Sequence, residues 1–339
     1  MRFDLMTGGL RLREMQDLAR TAEAAGCSGL VVTEAGRTAY LQCAAAALVS
    51  ELDLLTGIAV AFPRSPMVTA ATAWELAETS GGRFRLGLGT QVRAHIERRY
   101  GTAFDPPGPR LREYVLALRA IFAGFAGEPL DFHGDYWSFT LLPKEWSPGP
   151  IDVPAPAIDL AAVNPWMLRM AGEHADGVHI HPLNTVTYLD QTALPNLAAG
   201  AAKANRDPDE LEVIVPCFMA VGDTPEERSP RWERSRFQVA FYGSTPNYGF
   251  IFDQIGFPGT TDAIRERMKA GDYVGMAGVI TDEILEHFVV AGPWDDIADK
   301  VIGRYRGRAT RVVDYFSGQK AALPLDPRWS EIAAAVTAA

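Results

Sequence analysis

The stretch Ala73 to Tyr100, AWELAETSGGRFRLGLGTQVRAHIERRY, contains the boundary between a helix and a buried strand. Helical spacing begins upstream at Pro66 and ends at Thr79, and Gly81-Gly82 then interrupts the chain. The short run Arg83 to Gly89 (RFRLGLG) follows and is typical of a strand. A helix followed at once by a strand is the repeating unit of folds with a parallel sheet covered by helices.

The same alternation extends in both directions from this stretch. The expected strands are Arg2–Met6, Ser28–Thr33, Leu54–Ala61, Arg83–Gly89, Ala157–Val163, Gly177–His181, Leu211–Val221 and Val312–Phe316. The expected helices are Leu12–Ala25, Ala39–Ser50, Pro66–Thr79, Pro109–Phe125, Pro165–His174, Leu189–Asn205 and Pro327–Ala338. Eight strands interleaved with helices predict a closed (β/α)₈ TIM barrel. An open doubly wound sheet is the alternative, but Thr7-Gly8-Gly9-Leu10 lacks the glycine fingerprint that such a sheet carries after its first strand.

Two insertions interrupt the expected barrel. Residues 127 to 150 combine alternating aromatic residues with prolines, which predicts a hairpin and an ordered loop. Residues 224 to 293 separate the seventh and eighth strands and predict helices at Arg231–Tyr242, Thr261–Ala270 and Thr281–Val290. This second insertion also holds an aromatic stretch, Phe241 to Phe257, and we expect it to form a lid or additional scaffold over the barrel mouth. Residues 1 to 339 are expected to form a single domain.

Composition limits the classes of partner. The chain has 339 residues and a formal net charge of -10, without a basic stripe that would bind nucleic acid. The three cysteines are odd in number and show no C-x-x-C spacing, which favours a reducing compartment over a disulfide framework. No apolar run approaches the roughly 20 residues of a membrane span, and the first residues lack the apolar core of a signal peptide. We therefore expect a cytoplasmic protein with a small-molecule substrate and no membrane partner.

In a TIM barrel the site lies at the carboxyl ends of the strands. Gly89, Thr90 and Gln91 stand at the end of the fourth strand, where glycine permits close approach of a ligand and the polar side chains offer hydrogen bonds. At the end of the fifth strand, Asn164 and Pro165 form a cap and first turn whose N–H groups would bind a phosphate. An ordinary capped helix is the alternative.

Two further rim positions carry groups that could take part in chemistry. Glu34 follows the second strand and is a candidate proton donor, with a solvated loop carboxylate as the alternative. His179 and His181 share one face of the sixth strand, the spacing of a metal pair in barrel hydrolases. Further ligands are not evident, so we expect no metal; His181 is interpreted as a neutral residue that contacts cofactor or substrate, and His179 as structural.

The stretch quoted first resembles luciferase-like monooxygenases and their F420-dependent relatives, with a helix ending in Ser80-Gly81-Gly82-Arg83-Phe84 before the strand Leu86 to Gly89. The continuation Thr90 to His95 is similar to a subgroup of F420-dependent oxidoreductases. The resemblance implies a ring-shaped cofactor at the barrel mouth, supported by a bulge after the third strand, here placed at Ala61 and Phe62. The cofactor-binding residues that it implies are Ala61, Phe62, Gly89, Thr90, Gln91, His95, Ala162, Val163, Asn164, Pro165 and Trp166.

The chain also departs from its relatives. The second strand ends in Thr33-Glu34, where bacterial luciferases and sugar-phosphate dehydrogenases carry a histidine, and Gln91 stands where the dehydrogenases carry a glutamate. Light emission and a phosphosugar substrate are therefore not expected, and Glu34 and His181 are the catalytic candidates. The expected activity is hydride transfer between F420 and a small organic compound. An FMN-dependent two-component monooxygenase, a barrel that binds flavin without catalysis and a metal-dependent hydrolase are alternatives; a homodimer is one expected assembly.

Overall fold

Eight parallel strands close into a ring in the computed structural model, which describes residues 1 to 339 except the side chain of residue 321. The strands of the chain are β1 (Arg2–Gly8), β2 (Gly29–Thr33), β3 (Asp53–Thr56), β4 (Ala59–Val60), β5 (Phe84–Gly89), β6 (Phe132–His133), β7 (Ser138–Phe139), β8 (Ala157–Ala162), β9 (Gly177–Ile180), β10 (Glu212–Val221), β11 (Val289–Gly292) and β12 (Arg311–Asp314). Around the ring, β1, β2, β3, β5, β8, β9, β10 and β12 pair in sequence, and β12 pairs with β1 to close it. The predicted TIM barrel is confirmed.

Helices surround the ring and fill the longer insertion. They are α1 (Leu12–Ala24), α2 (Ala39–Ala47), α3 (Pro66–Thr79), α4 (Arg93–Arg98), α5 (Pro107–Phe125), α6 (Pro165–His174), α7 (Val186–Tyr188), α8 (Leu194–Lys203), α9 (Pro225–Gly243), α10 (Gly249–Gln254), α11 (Thr260–Lys269), α12 (Tyr273–Gly278), α13 (Asp282–Glu286), α14 (Trp294–Tyr305) and α15 (Trp329–Ala338). A π-helical turn, Leu189–Ala193, joins α7 to α8. None of the described helices is long and apolar enough to cross a bilayer.

The main core lies between the ring and its helices. Phe3 of β1 stacks on Trp329 of α15 with ring centroids 5.9 Å apart, and both side chains are fully buried. On the opposite side, Trp74 of α3 stacks on Phe122 of α5 at 5.6 Å. Apolar burial of this kind contributes about 25 cal/mol per Å², so these contacts hold the helices in place and leave the strand ends free to build a site.

The third strand of the ring contains a bulge between β3 and β4. Leu55 pairs with Arg85 and Ala59 pairs with Leu88, so four steps along one strand match three along its neighbour. A non-prolyl cis peptide joins Gly57 to Ile58 at this point. One extra residue on one strand is the definition of a bulge.

The prediction that this bulge lies at Ala61 and Phe62 is therefore wrong by four residues. Glycine is required at the true position, because a Cβ on Gly57 would lie 2.1 Å from Cγ1 of Val31 on the neighbouring strand. The run LLTGIAVA is apolar apart from Thr56, so no alternation of polar and apolar residues marks where the extra residue sits.

Both insertions are structured, and one predicted helix is partly wrong. The first insertion contains the expected hairpin, in which β6 and β7 pair antiparallel. In the second, the helix expected over Thr281–Val290 ends at Glu286, and Val289–Gly292 forms β11 instead. The physical reason is that β10 extends beyond the ring, so its last residues, Phe218 to Val221, are free to pair with β11.

A layer of charged side chains fills the ring at the amino ends of its strands. Arg311 donates hydrogen bonds to both oxygens of Asp4, at 3.0 and 2.9 Å, to Glu212 at 2.9 Å and to Asp53. Beside them, Nε of Arg85 donates to Asp159 at 2.8 Å. Arg311, Asp4 and Asp159 are fully buried. We call these six residues the charged layer; it closes this end of the barrel, so ligands must enter from the other.

Candidate functional site

The open end of the barrel has a floor of small, uncharged residues on the side of β3, β5 and β8. Gly57 and Ile58 of the bulge, Gly89 at the end of β5 and Ala161 of β8 meet there, and all but Gly89 are partly exposed. A Cβ on Gly89 would lie 2.9 Å from Cδ1 of Ile58 and 3.4 Å from Cβ of Ala161. These four residues, the small-residue floor, leave space for a flat group close to the backbone.

The residues after β5 turn away from the floor at once. Gln91 has a φ of 57°, in the left-handed region, and its side chain accepts a hydrogen bond from the N–H of Val92 at 2.9 Å. The Thr90 hydroxyl donates to the Gln91 carbonyl at 3.1 Å. Both side chains are therefore used in shaping their own turn, and Gln91 is exposed beside the floor.

His95 lies on the short helix α4, which forms part of the rim beyond β5. Its side chain is exposed, and the helix is held by Arg93, which bonds to Glu97 at 2.9 Å and to Asp105. His95 is thus placed to contact a group that extends outward from the floor, and its role in cofactor binding stays a prediction.

The end of β8 leads into the first turn of α6, as the sequence predicts. The Asn164 side chain accepts a hydrogen bond from the N–H of Met167 at 3.0 Å, and Pro165 occupies the first helical position. Trp166 is 44% exposed, and its ring covers Gly108, where a Cβ would lie 2.6 Å from the ring.

The two residues before this turn are less accessible. Ala162 is 2% exposed, so it offers a ligand its backbone alone. The Val163 carbonyl accepts a hydrogen bond from the Tyr188 hydroxyl at 2.8 Å. The part of the predicted phosphate site that a ligand can reach is therefore Asn164 to Trp166.

Ala61 and Phe62 lie just past the bulge and are almost completely buried. The Arg110 guanidinium stands 4.8 Å from the centroid of the Phe62 ring, and the Phe104 ring is 6.4 Å away. Ala61 and Phe62 therefore pack beneath the rim between β4 and α5. The position on the floor that the sequence predicted for Ala61 and Phe62 is occupied by the bulge residues Gly57 and Ile58.

Glu34 is held in a specific set of contacts at the end of β2. Its carboxylate accepts a hydrogen bond from the Val60 N–H at 2.8 Å and forms a two-point ion pair with Arg64, at 3.0 Å for one contact. The Arg64 guanidinium also lies 5.1 Å from the Tyr40 ring centroid. Both carboxylate oxygens are engaged as acceptors, and only 7% of the side chain is exposed. These contacts attach the bulged strand to β2 and argue against the predicted role as proton donor.

His181 follows β9, the strand next to β8 of the floor, and its side chain faces the mouth. Its Nδ1 accepts a hydrogen bond from the N–H of Leu183 at 3.1 Å, which places the proton of the neutral ring on Nε2. Burial lowers the pKa of His181 to about 3. The imidazole is therefore neutral near pH 7 and offers Nε2–H as a hydrogen-bond donor.

Aromatic side chains from three parts of the chain enclose His181. Tyr242 of α9 and Tyr248 beyond it each have a ring centroid 4.6 Å from the imidazole. Tyr315, the residue after β12, hydrogen-bonds to Tyr242 and packs on Phe218 at 4.8 Å. We call these five residues the aromatic box. Tyr242 and Tyr248 fall in the predicted aromatic stretch, whereas Tyr315 was missed because it was assigned to the interior of a strand.

His179 lies one step deeper in the ring than His181. It is 5% exposed, and its Nε2 would be 2.5 Å from a Cβ on Gly87. Both histidines face inward, as expected for alternate residues of a strand. Among the described residues, no group of three or more histidine, cysteine, aspartate or glutamate side chains could hold a metal ion.

Comparison with known proteins assigns the chain to a family. A model of the luciferase-like monooxygenase family matches residues 2–311. The chain belongs to this family. An uncharacterised protein of Mycobacterium tuberculosis is 38% identical over 307 residues, covering 88% of this chain and 90% of its own length.

Two further proteins are similar to this chain. The 5,10-methylenetetrahydromethanopterin reductase of Methanolobus tindarius is 30% identical over 256 residues, covering 74% of this chain and 73% of the reductase. The solved coenzyme F420-dependent tetrahydromethanopterin reductase of Methanopyrus kandleri superposes with a TM-score of 0.77 at 21% identity, covering 98% of this chain and 97% of that one. The structural likeness shows the shared barrel, and the family membership makes an oxidoreductase or monooxygenase activity the class to consider.

Proposed function

We propose that the chain transfers a hydride between the deazaflavin F420 and a small organic compound. The observation that carries this proposal is the two-sided mouth, with the small-residue floor on one side and the aromatic box on the other. The reductase relative and the F420-dependent solved neighbour support the choice of cofactor. When bound, F420 supplies hydride chemistry, and the protein supplies binding, orientation and exclusion of water.

The residues present fit a deazaflavin. A flat tricyclic ring needs a flat apolar surface, which Gly57, Ile58, Gly89 and Ala161 provide. A phosphate on its side arm needs N–H donors and a positive dipole end, which the first turn of α6 provides at Asn164 to Trp166. Thr90, Gln91 and His95 would border the ring between these two parts.

Within this proposal His181 contacts the substrate. A neutral imidazole that donates Nε2–H suits an acceptor oxygen or nitrogen in the mouth, and it orients the compound over the floor. Glu34 becomes a positioning residue, because it holds Val60 and Arg64 and so fixes the bulge that carries Ile58.

The test is a side-by-side titration of the protein with F420 and FMN. We expect F420 to bind and its reduced form to be oxidised by an organic compound, and Gly89→Ala to weaken F420 binding at least about tenfold, a loss of about 1.4 kcal/mol. The added methyl pushes Ile58 toward the space above the floor.

Gly303→Ala in α14 is the matched control, since nothing lies within 4 Å of a Cβ there. It should leave cofactor affinity unchanged and stabilise the helix by up to about 1 kcal/mol. Tight FMN binding without F420 affinity would favour the two-component monooxygenase, and F420 binding without turnover would favour a non-catalytic barrel.

A further inference from the structure

A pair of tyrosines in the aromatic box has one more hydroxyl proton than its own contacts use. Tyr242 and Tyr315 hydrogen-bond to each other through their hydroxyls. The pair carries two O–H groups, and one of them fills the mutual bond. Gln238 also makes a side-chain hydrogen bond to Tyr242, whereas the structure describes no side-chain partner of the Tyr315 hydroxyl besides Tyr242. Buried tyrosine hydroxyls usually have a partner, so the free O–H points to a ligand as its acceptor.

The surroundings of the pair keep both phenols in their neutral, proton-donating form. Tyr315 is 8% exposed and packs against Phe218 and Phe316. Burial raises the pKa of Tyr315, and burial followed by the proximity of Tyr315 raises the pKa of Tyr242. Arg234, 4.5 Å from the Phe316 ring and bonded to Gln319, acts in the opposite direction and lowers the pKa of Tyr315, but burial is the larger effect.

The position of the pair matches the geometry that a proton donor needs. Tyr315 follows β12 and His181 follows β9, with Phe218 of the intervening β10 between them. Around the ring β9 adjoins the floor strand β8, whereas β12 is four strands from β5, so Tyr315 lies across the mouth from Gly89. A compound lying on a cofactor at the floor would thus present its far side to the box. Tyr242 comes from α9, so the second insertion completes this wall.

The choice between His181 and Tyr315 as the acid follows from ordinary acidities. His181 is a neutral imidazole, whose remaining N–H is far less acidic than an imidazolium. A phenol, with an ordinary pKa near 10, is the stronger acid of the two. A phenol that accepts a hydrogen bond from a second phenol is stronger still, because such bonds reinforce each other.

We propose that Tyr315, supported by Tyr242, protonates the substrate, and that the substrate is an uncharged ketone, enone or imine. This proposal rests on the proposed function. Reduced F420, when bound at the floor, would supply the hydride for a new C–H bond at the electrophilic carbon, and the π-electron pair would move to the oxygen or nitrogen, directly or through the enone. The Tyr315 O–H gives its proton to that atom, the Tyr242 proton passes to Tyr315, and Tyr242 regains a proton from water.

The absence of a cation in the box determines the substrate class. The five side chains of the box are aromatic, and the one titratable base among them, His181, is neutral. A carboxylate or phosphate placed there would find no counter-charge within the box, and Arg234 lies outside it, against the Phe316 ring and bonded to Gln319, so burial of such a group is costly. A neutral planar compound would instead contact the aromatic side chains and accept hydrogen bonds from His181 and Tyr315.

The experiment begins with a panel of cyclic enones, aromatic ketones and cyclic imines, together with carboxylate-bearing analogues, assayed with the reduced F420 holoenzyme. We expect turnover of neutral members and none of their carboxylate analogues. For the best acceptor, Tyr315→Phe should lower kcat by at least about 100-fold, the scale of general acid catalysis. Tyr242→Phe should lower it by a smaller factor, and F420 affinity should remain within a few-fold in both.

Tyr305→Phe is the control, because Tyr305 is a buried phenol on α14 outside the ring. Chemical rescue distinguishes proton donation by Tyr315 from a purely structural role. Turnover by Tyr315→Phe should rise with added imidazolium buffer, and turnover by the wild type should not. Equal kcat for the Tyr315 and Tyr305 variants, or no turnover of any panel member by protein that binds F420, overturns this proposal. Failure to bind F420 instead overturns the proposed function.

Discussion

His179 is a single residue whose burial makes the stability of the whole protein depend on pH. Burial, with smaller contributions from Arg85 and Arg311, lowers the pKa of His179 to about 3. In the unfolded chain its pKa returns to about 6.5. Between these two values the unfolded state binds more protons than the folded state, so stability rises with pH through this window.

We predict that His179→Gln removes this dependence. Between pH 5 and pH 7 the free energy of unfolding should increase by about 2 kcal/mol more for the wild type than for the variant. Urea unfolding at the two pH values measures the difference. His181 is unchanged in both proteins and so cancels. Parallel pH dependences of the wild type and the variant would show that folding does not lower the pKa of His179.

At the scale of elements, the third strand depends on one carboxylate from its neighbour. Glu34→Gln retains an acceptor for the Val60 N–H but leaves Arg64 without its counter-charge. We expect the free energy of unfolding to fall by about 1–3 kcal/mol and F420 affinity to fall with it, while the shape of the kcat–pH profile stays the same.

Glu97→Gln provides the control, because Glu97 is an exposed carboxylate paired with Arg93 on α4. Loss of this ion pair should lower the free energy of unfolding by less than about 1 kcal/mol. If Glu34→Gln instead abolished turnover while stability and cofactor affinity were unchanged, Glu34 would be the acid that the sequence first indicated.

At the scale of the whole molecule, the charged layer holds distant parts of the chain together. Arg311, near the end of the sequence, bonds to Asp4 near its beginning, and burial raises the pKa of that carboxyl. Arg311→Met leaves Asp4 buried without its partner, and we expect a loss of about 3–5 kcal/mol in unfolding free energy. Arg308→Met, which removes a partly exposed pair with Asp190, should cost less than about 1 kcal/mol. If denaturant titrations gave equal losses of unfolding free energy for the two variants, the charged layer would contribute no more to stability than a surface ion pair.

The features that the sequence predicts well are those with local signals. Both ends of α3 and α6 follow from prolines at the first turn and from the residues that stop each helix. The Asn164 cap was predicted on the same grounds. The rim positions followed from the rule that barrel sites lie at carboxyl ends of strands.

The features that the sequence does not reveal depend on long-range pairing. β11 forms because the last residues of β10 extend beyond the ring and pair with it. Nothing within Val289–Gly292 distinguishes a strand from the end of a helix. The engagement of Glu34 depends on Arg64, thirty positions away. The assignment of Tyr315 to the site depends on its hydrogen bond with Tyr242 of the second insertion, which only the folded structure shows.

The single residue added at Gly57–Ile58 has a consequence for every side chain after it. Before it, inward positions are odd-numbered, as at Asp53 in the charged layer; after it they are even-numbered, since Ile58 meets Gly89 and Val60 pairs with Gly89. Excising Gly57 would restore regular alternation and leave Ile58 and Val60 facing inward, but it would remove one of the two consecutive residues that the bulge presents to the mouth. The extra residue thus gives the mouth two adjacent lining positions, Gly57 and Ile58, where a regular strand of the same sequence would offer one.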